Sequence, residues 1–318
     1  MVSDLGNFYA KPPAGRLEIE ACIEALQNSL FLYEKESFDS RVEAMDFIEF
    51  FIVDQIEVLL QTTNQTKDLI TLKSLAEQMK YRLEAVNIDL FRELLSDIQN
   101  KKYTGDAFNE MVHGYVNFDS VACRQEEVIG YDNLDIFING LLSFQDIPDV
   151  TKDLELEMVF YQKTPARIIF ELVEKCPFTK EDIFFDLGSG LGQVAILVNL
   201  FTGVTTKGIE FEPAFCEYSK LCATLLCLSN VEFINVDARK ADYSKGTVFF
   251  MYTPFCGNML QDVLDILKKE SQLREIRIFT YGPCTRHVAS QEWLKFSGTD
   301  ENDLYTLGIF SSRFDSQR

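Results

Sequence analysis

Residues 183–194 read IFFDLGSGLGQV, and the fold turns on this stretch. Strand-forming apolar residues run into three glycines spaced two apart, Gly188, Gly190 and Gly192, and then into the helix-forming run AILVNLF. A strand that breaks into a glycine turn and restarts as a helix is how an open α/β sheet makes a nucleotide site. Glycine permits positive φ in the tight turn and lets a ligand lie against the backbone. The spacing separates two ligand classes. A dinucleotide fingerprint is G-x-G-x-x-G, opening the helix beneath a pyrophosphate. Here the order is D-x-G-x-G-x-G, with Asp186 two residues before the first glycine. A buried carboxylate at that place would repel a pyrophosphate and suits a ligand carrying ammonium and sulfonium groups. An ordinary glycine turn of an α/β protein is the alternative, and the neighbouring strands discriminate between the two.

Downstream, VTTKGIEF reads as a second strand that delivers Glu210 to its carboxyl end, 22 residues after Gly188, with Phe211 beside it. An acid is needed there to accept hydrogen bonds from both ribose hydroxyls. Pro213 starts a helix predicted through Leu228. A third strand, VEFINV, delivers Asp237, followed by Ala238; a carboxylate there can accept from an adenine amino group. GTVFFMYTPF is the fourth strand, residues 258–269 a helix, IRIFTYG the fifth strand. The tail EWLKFSGTDENDLYTLGIFSS reads as two antiparallel strands around a polar turn. A lone acid at a strand end is ordinarily a solvated cap or a helix N-cap, and either would explain Asp237. Three acids at the carboxyl ends of successive parallel strands, however, line one crevice.

The preceding residues have another character. The chain has 318 residues, 47% hydrophobic, which suggests two domains. Residues 17–36 have an apolar period close to 3.6, and Ser40 is read as the cap of RVEAMDFIEFFIVDQIEVLLQ, apolar on more than one face. A turn at TTNQT leads to a helical pattern over 68–98, with a break near Asn87. Gly105, Gly114 and Gly130 weaken the pattern before LDIFINGLLSF resumes it. The expected organisation is a helical bundle over 1–147 and an α/β domain over 148–318. Thr164 and Pro165 are read as the N-cap and first residue of the helix that opens the α/β domain.

Net charge is −20, which argues against nucleic acid as a partner. Residues 1–150 hold 27 acids against 12 bases, so most of the excess lies outside the glycine motif. Two readings stay open: solubility of a helical surface, or an acidic face that recruits a basic partner. The opening residues have neither a basic start nor an apolar signal core, and no apolar run is long enough to span a bilayer, so a cytoplasmic protein is expected. Eight cysteines without C-x-x-C pairs and only two histidines, His113 and His287, give metal chemistry little material, and no metal is expected. The cysteines are read as buried apolar residues, and oligomeric state is not legible.

Residues from about 160 to 314 resemble a class I methyltransferase that uses S-adenosylmethionine (SAM), and DLGSGLGQV is similar to the turn of the non-SET histone-lysine methyltransferases. The resemblance implies a Rossmann-like seven-stranded methyltransferase sheet, preceded here by an N-terminal all-helical domain. It also implies a loop ahead of the domain, Tyr-Gly-Glu-Thr in those enzymes, over the methionine end of SAM. This chain has Tyr161-Gln162-Lys163-Thr164, with Lys163 in place of the glutamate. The cofactor-binding set is then Tyr161, Thr164, Asp186, Gly188, Ser189, Gly190, Gly192, Gln193, Glu210, Phe211, Asp237 and Ala238. Nitrogen methyltransferases often carry Asn-Pro-Pro-Tyr/Phe after strand four. Tyr252, Thr253, Pro254 and Phe255 keep the proline and aromatic without the asparagine, and form the expected catalytic turn. The function expected is SAM-dependent N-methylation of a protein lysine. The alternatives are small-molecule N- or O-methylation, since the histone enzymes' basic DNA-binding tail is absent, and a SAM-binding protein without transfer.

Overall fold

The N-terminal periodicity folds as helices: α1 (Arg16–Gln27), α2 (Phe38–Phe47), α3 (Asp54–Thr62), α4 (Thr66–Gln99) and α5 (Asp106–Tyr115). The computed structural model describes residues 15–62, 66–118, 132–298 and 303–313. These divide into two units. One comprises the described residues up to Ser96 with Glu110–Phe118; the other comprises Asp97–Asn109 and the described residues from 132 onward.

In the first unit a π-helical turn, Ile48–Val53, joins α2 to α3. Phe47, Ile48, Phe51 and Ile52 are buried while Phe50 is exposed, so the apolar run covers a broad face. Three local expectations are corrected. Ser40 lies inside α2: the helix begins at Phe38, where burial of that ring draws the first turn inward and Arg41 N–H already donates to Ser37 O. Asn87 does not break α4. It is buried there as the acceptor for the fully buried Arg41, whose Nε reaches Asn87 Oδ1 at 2.6 Å while its Nη1 donates to the carbonyls of Leu32 and Glu34. Gly114 sits within α5, one residue from its end, where glycine costs little helix stability. Gly130 lies outside the described residues.

The second unit is built on β1 (Ile183–Leu187), β2 (Thr205–Glu210), β3 (Val231–Asn235), β4 (Val248–Met251), β5 (Arg277–Thr280), β6 (Leu294–Phe296) and β7 (Gly308–Ser312). They form one seven-stranded sheet in the order β3-β2-β1-β4-β5-β7-β6. The first five strands in sequence are parallel, and β7 runs antiparallel to both β5 and β6. Strand order reverses between β1 and β4, and such switch points open a crevice at the strands' carboxyl ends.

The helices of this unit are α6 (Asn133–Leu142), α7 (Ala166–Lys175), α8 (Gln193–Thr202), α9 (Pro213–Leu225), α10 (Gly257–Ser271) and α11 (Cys284–Ala289). Alternation along β1 sends Phe185 and Leu187 into one core with Phe249, Met251 and the apolar face of α10, leaving Asp186 to the opposite face. Residues 133–142, read as the last helix of the N-terminal bundle, lie instead in the sheet unit. The physical link is Asp135, which is buried and accepts the N–H of Ala166 at 2.8 Å. That carboxylate, not Thr164, caps α7, whose N-cap residue is Pro165. Of the seven described cysteines, Cys176, Cys216, Cys222 and Cys284 are buried as expected, but Cys227 and Cys256 are exposed. Among the described residues no helix is long and apolar enough to cross a membrane.

Candidate active site

At the carboxyl ends of β1, β2, β4 and β5 lies a cavity of about 870 Å³. Its lining includes Tyr161, Thr164, Asp186, Gly188, Ser189, Gln193, Glu210, Phe211, Asp237, Ala238 and the whole turn Tyr252–Phe255. Of the residues expected at the site, Gly190 and Gly192 lie behind the lining. Both are closely packed. A Cβ on Gly190, at φ 51°, would meet the Tyr161 ring at 2.2 Å, and one on Gly192 would meet Phe233 at 2.6 Å. Gly188, at φ 76°, touches Pro254 so closely that a Cβ would fall 2.3 Å from the proline's own. The glycine turn is therefore wedged between the 161–164 segment and the turn after β4.

The acids behave differently from one another. Asp186 is 3% exposed; burial first, and then Glu210, push its carboxyl up to about 8, against a backbone hydrogen bond from Ala195. Burial also raises Glu210, although its Oε2 accepts Gly190 N–H at 2.7 Å and its Oε1 accepts Glu212 N–H at 2.8 Å. Asp237 both lines the cavity and caps a short 3₁₀ turn. Arg239 donates to it from the backbone at 2.8 Å and from Nη2 at 2.7 Å, and that pairing holds its carboxyl low. The N-cap reading of Asp237 thus describes its present partners. Lys163 does not line the cavity; burial lowers its pKa, against the opposing pull of the Asp135 carboxylate.

The turn after β4 carries backbone strain. Thr253 sits at φ 44°, left-handed for a β-branched residue, held by Oγ1 donating to Tyr281 O at 2.9 Å and accepting from Cys284 N–H. Tyr252 packs 5.6 Å from the Tyr281 ring, and Tyr281 Oη donates to Tyr305 O at 3.0 Å, bringing the segment before β7 to the cavity rim. The connector ahead of Tyr161 is stitched to the same turn. Met158 bridges Phe255, Val159 N–H donates to Pro254 O at 3.1 Å, and Glu157 accepts the N–H groups of Asn258 and Met259 at the start of α10.

Several contributors were not singled out in the sequence. Glu212 is one: burial pushes its carboxyl up, but Thr151 Oγ1 and the N–H groups of Ala214, Thr151 and Lys152 pull it down to about 2. An acid directly before a proline at the first helical position is an N-cap signal that could have found it. Glu157, Tyr281 and Tyr305 had no such local signal, because their partners are distant in sequence.

Residues 157–251 match the model of the family described as "Histone methylation protein DOT1". No curated protein matches the chain. Among solved structures, an RNA methyltransferase from Salinibacter ruber in complex with S-adenosyl-L-homocysteine is 22% identical, covering 48% of this chain and 92% of its own at a TM-score of 0.39. A precorrin-6y C5,15-methyltransferase from Geobacter metallireducens is 14% identical over 51% of this chain and 95% of its own, at 0.38. A human methyltransferase 10 domain containing protein is 13% identical over 52% and 89%, at 0.37.

Over residues 157–251 the chain is similar to SAM-dependent methyltransferases, and SAM-dependent methyl transfer is the activity that this match supports. Within that class it is similar in motif to the non-SET histone-lysine methyltransferases. The residues present fit SAM as cofactor. Asp186 Oδ2, Ser189 Oγ and Gln193 Oε1 are buried side-chain atoms with no hydrogen-bond partner, and all three residues line the cavity. Buried polar atoms are normally satisfied, so their gathering on one wall marks a place for a polar, partly cationic ligand.

Proposed function

We propose that the enzyme methylates nitrogen, and that its acceptor is a lysine side chain of a protein. The observation that carries this reading is the match of residues 157–251 to a histone methylation family, a span that takes in the end of the connector, the glycine turn and β1 to β4. SAM supplies a methyl group activated on a sulfonium. Displacement at such a centre depends mainly on positioning and on a desolvated site, so no general base is needed if the nitrogen arrives neutral.

In this reading Asp186, Ser189 and Gln193 hold the polar end of SAM, and Tyr161 to Thr164 close over it. Glu210 has acceptor capacity beyond the N–H groups it already binds, among them those of Gly190 and Glu212, and offers it to the ribose hydroxyls. Phe211, Asp237 and Ala238 flank the adenine. Tyr252, Thr253, Pro254 and Phe255 form the wall at which the acceptor nitrogen arrives: carbonyl oxygens accept its N–H, and the aromatic faces favour a cationic centre by about 0.5–2 kcal/mol. The cavity, about 870 Å³, is near the upper end of the roughly 300–1,000 Å³ usual for ligand sites, which suits a cofactor together with a side chain. Nucleic acid is left out as an acceptor because a net charge of −20 opposes a phosphate backbone.

The test is transfer from methyl-labelled SAM to a lysine-containing peptide, the same peptide with arginine at that position, and a set of small amines and catechols. Label should appear on the lysine peptide and not on its arginine counterpart. Label on the small molecules alone would replace this reading with small-molecule N- or O-methylation.

A further inference from the structure

The connector over residues 146–160 exposes more apolar side chain than its packing requires. Ile147 is 64% exposed, Val150 66%, Phe160 84%, and Leu156 is fully exposed; Leu154 and Val159 are exposed as well. Yet the segment is held along its length. Thr151 and Lys152 donate their N–H groups to the Glu212 carboxylate at 2.9 Å, Glu155 pairs with Arg239 at 2.9 Å, Glu157 caps α10 and Met158 bridges Phe255. A segment pinned at four places while its apolar side chains face outward is a surface kept open, and such patches mark binding sites.

Its charge says what it binds. Asp146, Asp149, Asp153 and Glu155 are all exposed, against the single base Lys152. Val150, Asp153, Leu154, Val159 and Phe160 also line the cavity, so the surface runs without a break to the Tyr252–Phe255 wall. A second copy of the chain is a poor occupant, since its strap would bring the same acids and its net charge is −20.

We propose that the 146–160 strap is the docking surface for the protein acceptor, and that it takes a basic, extended segment carrying apolar side chains beside its target lysine. This rests on the lysine reading above. Basic side chains of that segment face Asp146, Asp149 and Asp153, its apolar ones cover Ile147, Leu154 and Leu156, and the lysine between them enters the cavity.

The experiment uses the full chain, SAM and two synthetic lysine-centred peptides, one flanked by arginine and leucine, the other by glutamate and serine. The wild type should show a KM at least about tenfold lower for the basic peptide, the equivalent of about 1.4 kcal/mol. Leu156→Ser and Asp149→Lys, which change residues outside the cavity lining, should each raise that KM by about fivefold or more and leave kcat, SAM affinity and the glutamate peptide's KM unchanged. An equal KM for both peptides, or variants without effect, would overturn docking while the lysine reading stands. Label on neither lysine peptide would overturn both. A lower Tm for Leu156→Ser with unchanged KM would mean the chain itself covers the strap, and a self-associated wild type made monomeric by Leu156→Ser in sedimentation would mean a second copy does; either result overturns the proposal.

Discussion

Asp186 is the residue whose chemistry should change most on cofactor binding. With its carboxyl pushed up to about 8 by burial and by Glu210, it holds a proton at neutral pH in the free enzyme. A ligand with cationic groups favours the carboxylate, so binding should expel that proton. Calorimetry of SAM binding at pH 7 in buffers of different ionisation enthalpy should report close to one proton released, and none for Asp186→Asn. The stability consequence has a definite sign. Because the folded value lies above the unfolded value of about 3.9, the group's contribution is intact below pH 4 and is lost as pH rises through about 8. Denaturant titration should therefore find ligand-free Asp186→Asn gaining on the wild type between pH 4 and 8, by an amount on the order of a few kcal/mol at the upper end. Glu210 is the complementary case: Glu210→Ala should weaken SAM binding by about 1–3 kcal/mol and also free the Gly190 N–H. The positions of both acids were legible in the sequence, since a strand that ends in a carboxylate needs only its own residues to be recognised. The rise in their pKa values was not, because burial comes from α8 and from a neighbouring strand.

At the scale of elements, the site is three segments wedged together: the glycine turn, the 161–164 loop and the turn after β4. Gly188→Ala tests the wedge. The new Cβ meets Pro254, and the residue must hold φ 76°, a cost of about 1–3 kcal/mol before any clash. Both SAM affinity and the position of the Tyr252–Phe255 turn should suffer, so kcat and the cofactor Kd should worsen together. Tyr252→Ala and Phe255→Ala should instead lower transfer well beyond any change in SAM affinity, because their contacts tighten as the methyl moves. Single-turnover transfer measured beside equilibrium SAM binding separates the two patterns. The sequence disclosed the strands, the helices that follow them and the antiparallel finish, because each rests on local period and turn chemistry. It did not disclose that Asp135 caps α7, that Glu157 caps α10, or that Arg239 already occupies Asp237. Those bonds join segments far apart in the chain or compete with a ligand, and no local pattern records them.

At the scale of the whole molecule the charge is uneven: residues 1–150 carry 27 acids and 12 bases. A field of that sign attracts cationic partners with a salt-sensitive on-rate. Raising salt should therefore weaken the binding of a basic acceptor peptide while SAM affinity stays nearly constant, and an equal response of both would leave the charge as surface solubility. The sequence also showed two kinds of architecture in one chain, but their border is less simple than a cut at 147. Part of α4 and α5, and all of α6, count with the sheet unit, because side chains such as Phe108 pack against Phe201 of α8. The central claim is that methyl transfer occurs where the glycine turn meets the Tyr252–Phe255 turn. A crystal structure of the full chain with S-adenosylhomocysteine and a lysine peptide tests it most directly. The account predicts adenosine along β2 and β3, the sulfur facing Tyr252 and Phe255, and the lysine nitrogen between them. A product sulfur far from Phe255, or a lysine entering at another edge of the sheet, would contradict it.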